Sequence, residues 1–136
     1  MDISIKAPRL PLPGESVIGN GFMMSPGGKG ANQAVAAARL GCPVRLIGCT
    51  GNDSYGLELI EHLKRNYVDT RYVKLDDNAY TDIAIITLKD GDNYIVTDPG
   101  AKFLFNRPDD HIFRGYYKRQ FTACSAIGNS DRGYLS

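Results

Sequence analysis

Short apolar-rich runs over residues 3–7 and 15–23 predict two strands, separated by the stiff connector Pro8-Arg9-Leu10-Pro11-Leu12-Pro13. An alanine-rich stretch then predicts a helix over residues 29–40, with Gly41 placed to cap its C-terminus. The run Val44-Arg45-Leu46-Ile47-Gly48 predicts a short apolar strand, which sets up a helix-then-strand rhythm. Asp53 or Ser54 is placed to N-cap a further helix, in which Leu57, Ile60, Leu63 and Tyr67 would form the apolar stripe. Ile83-Ala84-Ile85-Ile86-Thr87-Leu88 and Tyr94-Ile95-Val96-Thr97 flank Asp90-Gly91, a strong signal for a tight hairpin. The alternation of helices and strands implies an α/β fold.

Composition narrows the classes. The 136 residues suit one ordinary domain, and 43% hydrophobic content is enough for a packed core and argues against a disordered chain. A net charge of +1 offers no electrostatic footprint for nucleic acid. No apolar run approaches the ~20 residues that span a bilayer, so no membrane role is expected. Cys42, Cys49 and Cys124 contain no C-x-x-C pair, so neither a disulfide framework nor a metal site is expected, and a cytoplasmic location fits.

Chemistry concentrates in residues 26–41. Gly27 and Gly28 allow close backbone approach, and the first helical turn behind them offers unpaired N–H groups at a positive dipole end. Lys29 adds a cation and Asn32 a side chain that both donates and accepts. Such a run serves either as a turn ahead of a packing helix or as a seat for a small oxygen-rich ligand. Two phosphate motifs are excluded. Met23 stands where a P-loop needs its first glycine, and Gln33 stands at the third position of the dinucleotide pattern G-x-G-x-x-G.

The same run, from Gly27 through Ala31-Asn32-Gln33-Ala34 to Arg39-Leu40-Gly41, resembles the first signature of the ribokinase family, the PfkB-type sugar kinases. The flanks agree: Pro13-Gly14-Glu15-Ser16-Val17 resembles the family's Pro-Gly-Glu-Thr stretch. Gly48-Cys49-Thr50-Gly51-Asn52-Asp53, with Gly56, resembles its Gly-x-x-Gly-x-Asp turn. Asp98-Pro99-Gly100-Ala101 resembles its Pro-Gly-Ala-Asn, with Lys102 departing from the asparagine. The resemblance implies a three-layer α/β/α sandwich with a small β-sheet lid, here without the first strand and the C-terminal half. It implies transfer of the ATP γ-phosphoryl group to a sugar hydroxyl, with Mg²⁺ and activation by a monovalent cation such as K⁺. The Lys29-to-Gln33 residues favour the branch acting on the 5-hydroxyl of ribose. A non-catalytic sugar-binding remnant, or a kinase for another sugar or nucleoside, is the alternative. The family also implies a homodimer formed through the lid.

Carried over residue by residue, the resemblance assigns sugar binding to Asp2, Gly27, Gly28, Lys29, Asn32, Ala84 and Ile86. Asp2 is otherwise a solvated acid, and Ala84 and Ile86, which share a strand face, are otherwise an ordinary core face. Asn93 beside the hairpin turn is read as structural, and His62 and His111 as surface residues. Tyr116, Tyr117, Lys118 and Arg119 lack the basic surround of a nucleic-acid site.

The resemblance holds for residues 1–103, whereas residues 104–136 depart from it and contain no Asp-Thr-x-Gly-Ala-Gly-Asp signature, the family's catalytic segment. No catalytic residue is therefore expected in this chain, and the ATP and Mg²⁺ sites are expected to be mostly absent from it. Back-translated from Thr122 and read from the second base of each codon, the tail permits Leu-Leu-Val-Leu followed by Gln-Leu-Glu-Ile-Pro. That is the strand and motif expected here. The expectation is a one-base frameshift between about residues 105 and 117.

Overall fold

The computed structural model describes residues 1–101. The expectations for His111, Cys124, the Tyr116–Arg119 cluster and the shifted tail lie outside the described residues. Eight elements follow one another: β1 (Asp2–Lys6), β2 (Asn20–Ser25), α1 (Lys29–Arg39), β3 (Val44–Gly51), α2 (Ser54–Arg65), β4 (Val68–Asp76), β5 (Ile83–Lys89) and β6 (Asp92–Asp98). The architecture is α/β, as the pattern implies. Strands β3 and β4 pair in parallel, joined through α2, and a separate four-stranded sheet runs in the order β2-β1-β5-β6. In that sheet β1 lies parallel to β5 and antiparallel to β2, and β5 lies antiparallel to β6.

The core lies between the helices and the β3–β4 pair. Ala34, Val35 and Ala38 of α1 meet Leu63 of α2 and Val68 of β4, with Ala31, Val44 and Leu46 packed at the edge. Small alanines let α1 approach closely while Leu63 and the valines fill volume. Helix α1 ends in a Schellman motif: Cys42 N–H donates to the Ala37 carbonyl and Gly41 N–H to the Ala38 carbonyl. Gly41 takes φ 86°, which fits its expected capping role.

Several boundaries differ from expectation, each for a physical reason. The strand expected over residues 15–23 forms instead over residues 20–25, where it pairs with β1. Glu15 holds the preceding segment as a loop, because its carboxylate accepts from the Leu12 N–H and from both terminal nitrogens of Arg9. Strand β3 continues through the glycine motif to Gly51 rather than stopping at Gly48. The stripe of α2 is Gly56, Leu59 and Leu63, with Leu57 half-exposed. Tyr67 lies beyond the helix end in the left-handed region at φ 62° and is exposed, so it cannot belong to that stripe. Strand β4 has no counterpart among the expected elements. The hairpin forms as expected: Lys89 pairs with Asp92 across Asp90 and Gly91, both at positive φ.

Candidate functional site

Register in the four-stranded sheet decides which side chains share a face. Ser25, Asp2, Ala84 and Thr97 lie side by side across the four strands, and Met23, Ser4, Ile86 and Ile95 form the next row on the same face. Ile3, Ile85 and Val96 occupy the opposite face with Met24. Asp2, Ala84 and Ile86 are thus brought together by pairing of β1 with β5, two strands distant in sequence.

Gly27 joins them. It follows β2 by two residues and is buried against Asp2, such that a Cβ at residue 27 would fall within the Asp2 carboxylate. Glycine is required there by close approach rather than by an unusual backbone angle. Its neighbour Gly28 takes φ 95° with open space around it, and serves as the N-cap of α1 without a side-chain cap bond. No acidic residue stands in the first turn, so its N–H groups and positive dipole end are left for an outside acceptor. Lys29 and Asn32 stand exposed in that turn, three residues apart and therefore on one side of the helix.

The face combines two chemistries. A half-buried carboxylate at Asp2 and hydroxyls at Ser4 and Ser25 suit hydroxyl partners, while Ala84 and Ile86 offer apolar area for the carbon skeleton of a small polyol. Ser4 and Ser25 are additions that sequence reading left out. The alternation Asp2-Ile3-Ser4-Ile5-Lys6 already places Asp2 and Ser4 on one side of a strand. Ser25, however, is placed there only by the register with β2. Asn93 sits on this face near the hairpin, paired with Leu88. His62, in the last turn of α2, has its carbonyl bonded by Asn66 Nδ2 at 2.8 Å. Among the described residues no group of three or more His, Cys, Asp or Glu side chains is placed to hold a metal ion, and no helix is long and apolar enough to cross a membrane.

A model of the pfkB family carbohydrate kinases matches residues 1–121 of this sequence. The chain belongs to that family. Its relatives include ribokinase of Bacillus subtilis, 46% identical over 101 residues, a span of 74% of this chain and 34% of the relative. Ribokinase of Schizosaccharomyces pombe is 39% identical over 133 residues, or 93% of this chain and 41% of the relative. The solved structure of Arabidopsis thaliana ribokinase complexed with ribose and ATP superposes with a TM-score of 0.68 at 36% identity, covering 74% of this chain and 33% of that one. The chain therefore spans about a third of the length of most of these relatives, and its α/β fold is ribokinase-like. Membership makes the protein a kinase-family chain and sets the mixed β2-β1-β5-β6 sheet beside an α/β body as the family's arrangement.

Proposed function

We propose that this chain forms the sugar-holding part of a ribokinase-type phosphotransferase, which moves the ATP γ-phosphoryl group to the 5-hydroxyl of D-ribose. The observation that carries this reading is the Asp2 carboxylate seated against Gly27, beside Ala84 and Ile86. In it Asp2 accepts from sugar hydroxyls, Gly27 and Gly28 admit the ring, and Lys29 and Asn32 hold further oxygens from the start of α1. Ala84 and Ile86 cover the ring from the sheet. Phosphoryl transfer relies mainly on positioning and charge stabilisation, so holding the acceptor is a substantial share of the work.

ATP, Mg²⁺ and a monovalent cation are proposed for the whole enzyme on family grounds. The described residues offer no group of three or more His, Cys, Asp or Glu side chains placed to hold a metal ion. The division at residues 103 and 104 and the shifted frame of the tail are likewise proposals, read out on the coding DNA; the family match itself runs past that division, to residue 121. The partner proposed for the opposite sheet face is a second copy of this chain, because Met24, Ile85 and Val96 are apolar and exposed there. The reducing cytoplasm is the location proposed for it, in keeping with the exposed Cys42 thiol.

Another sugar is the second reading, favoured by one relative: probable fructokinase-3 of Arabidopsis thaliana is 38% identical over 93 residues. A phosphotransfer assay and calorimetry with ribose and fructose in parallel separate the readings. Preference for ribose is the expected result. Equal or stronger binding of fructose would overturn the ribose assignment, and binding of either without turnover would favour a non-catalytic sugar-binding chain.

A further inference from the structure

The glycine motif ending in Asp53 plays no part in the sugar face, yet its geometry is closely specified. Asp53 caps α2, its Oδ1 accepting from the Gly56 N–H at 2.9 Å. Its remaining bonds leave the helix. Oδ2 accepts the Thr81 N–H at 2.8 Å, and Oδ1 accepts the Thr81 hydroxyl at 2.7 Å. Thr81 is 3% exposed. Its single hydroxyl proton goes to Asp53, so the 3.0 Å contact between Thr50 and Thr81 is one in which Thr50 donates. Donation runs one way, from Thr50 to Thr81 to the Asp53 carboxylate.

The backbone closes tightly around this chain of bonds. A Cβ on Gly51 would stand 2.6 Å from the Ala79 carbonyl oxygen, and one on Gly56 would strike the Gly51 carbonyl. A Cβ on Gly100 would strike the Tyr80 carbonyl, which accepts the N–H of fully buried Ala101 at 2.7 Å. The chain entering β5 and the chain leaving β6 are therefore both tied at one point. That point is fixed to the N-terminus of α2.

We propose that Asp53, acting through Thr81, is a positioning residue that latches the base of the β5–β6 hairpin so that Ala84 and Ile86 keep their register beside Asp2 and Ser4. The latch rests on geometry alone. Its consequence for sugar rests on the function proposed above.

Hydrogen exchange with mass spectrometry on the full 136-residue chain tests it, comparing wild type with Thr81→Val, Thr81→Ser and Asp53→Asn. Valine keeps the shape of threonine without the hydroxyl, whereas serine restores the hydroxyl. The expected result is exchange at least tenfold faster over residues 79–86 and at Ala101 in Thr81→Val. Thr81→Ser should stay within twofold of wild type, and α1 and β3 should be unchanged in both. Should Thr81→Val not fold, Asp53→Asn carries the same expectation, because it keeps the volume and one acceptor oxygen. Unchanged exchange over residues 79–86, or equal acceleration throughout residues 1–101, would overturn the latch. Ribose titration of the same variants adds the functional readout: severalfold weaker binding in Thr81→Val, recovered in Thr81→Ser. A wild-type chain that binds no ribose would sink the sugar reading and leave exchange to decide the latch.

Discussion

The two sheets of this chain solve different problems with similar residues. Around β3 and β4, apolar side chains turn inward and α1 and α2 close over them, leaving Leu63 3% and Val68 4% exposed. In the β2-β1-β5-β6 sheet, residues equally apolar stay in the open: Val96 is 72% and Phe22 66% exposed. The first region is held together by burial. The second is held by strand pairing and by the Asp53–Thr81 latch, and its side chains face something other than this chain's own core. Contiguous exposed apolar surface on a sheet marks a surface suited to covering a partner.

Stability should separate the two sheets most strongly. Leu63→Ala should cost about 2–5 kcal/mol, the range for emptying a packed core site. Val96→Ala should cost less than about 0.5 kcal/mol, as exposed substitutions do. Urea denaturation of both variants checks this, and similar losses would mean the lid sheet carries as much of the fold as the helices do.

Two glycines divide along the same line. Ala at Gly56 must displace the Gly51 backbone and both threonine hydroxyls, so Gly56→Ala should be strongly destabilising. The atoms nearest to a Cβ at Gly27 all belong to the Asp2 carboxylate, the end of a side chain that can rotate away. Gly27→Ala should therefore leave the unfolding midpoint nearly unchanged while weakening ribose binding at least tenfold. Paired melting and calorimetry distinguish the outcomes, and a Gly27→Ala variant that unfolds early would place Gly27 with the structural glycines.

A third contrast lies within the site. Lys29→Ala and Asn32→Ala should each weaken ribose binding by about 1–3 kcal/mol through lost hydrogen bonds, with little change in folding because both side chains are exposed. Unchanged affinity in both would mean that they only shape the turn.

The smallest effect concerns acid. Burial pushes the Asp53 carboxyl up, but the bonds from Thr81, Gly56 and Tyr55 outweigh it and hold the group below its ordinary value. A folded pKa below the unfolded value of about 3.9 gives stability that is fully present above about pH 5. It is lost as pH falls through the folded value. Melting temperature should fall more steeply below pH 4 in wild type than in Asp53→Asn, and parallel profiles would deny Asp53 that role.

Local signals made much of this legible in the sequence. The Asp90-Gly91 hairpin, the Gly41 cap and the Asp53 cap depend on a few adjacent residues, and all three form as expected. What was not legible depends on distant partners. The β4 run carries Asp69, Arg71, Lys74 and Asp76, which obscure its strand character; in the fold Asp69 pairs with Arg45 and Arg71, and Arg45 lies over the Tyr72 ring. The α2 stripe was misassigned because 56-59-63 and 57-60-63-67 fit a helical period comparably until the end of α2 at Arg65 excludes Tyr67. For the candidate site, the family motif supplied the residues, but only the β1–β5 register put Asp2 beside Ala84. Thr81, the latch partner, carries no motif of its own.

On the proposed function, the Asp2 face of the lid sheet holds ribose. Calorimetric titration of the chain with D-ribose, wild type against Asp2→Ala, tests it most directly. A saturable one-to-one heat in wild type, weakened at least tenfold in Asp2→Ala through loss of charge-assisted hydrogen bonds, is the predicted result. Equal binding by the two proteins, or no binding by wild type, would contradict it.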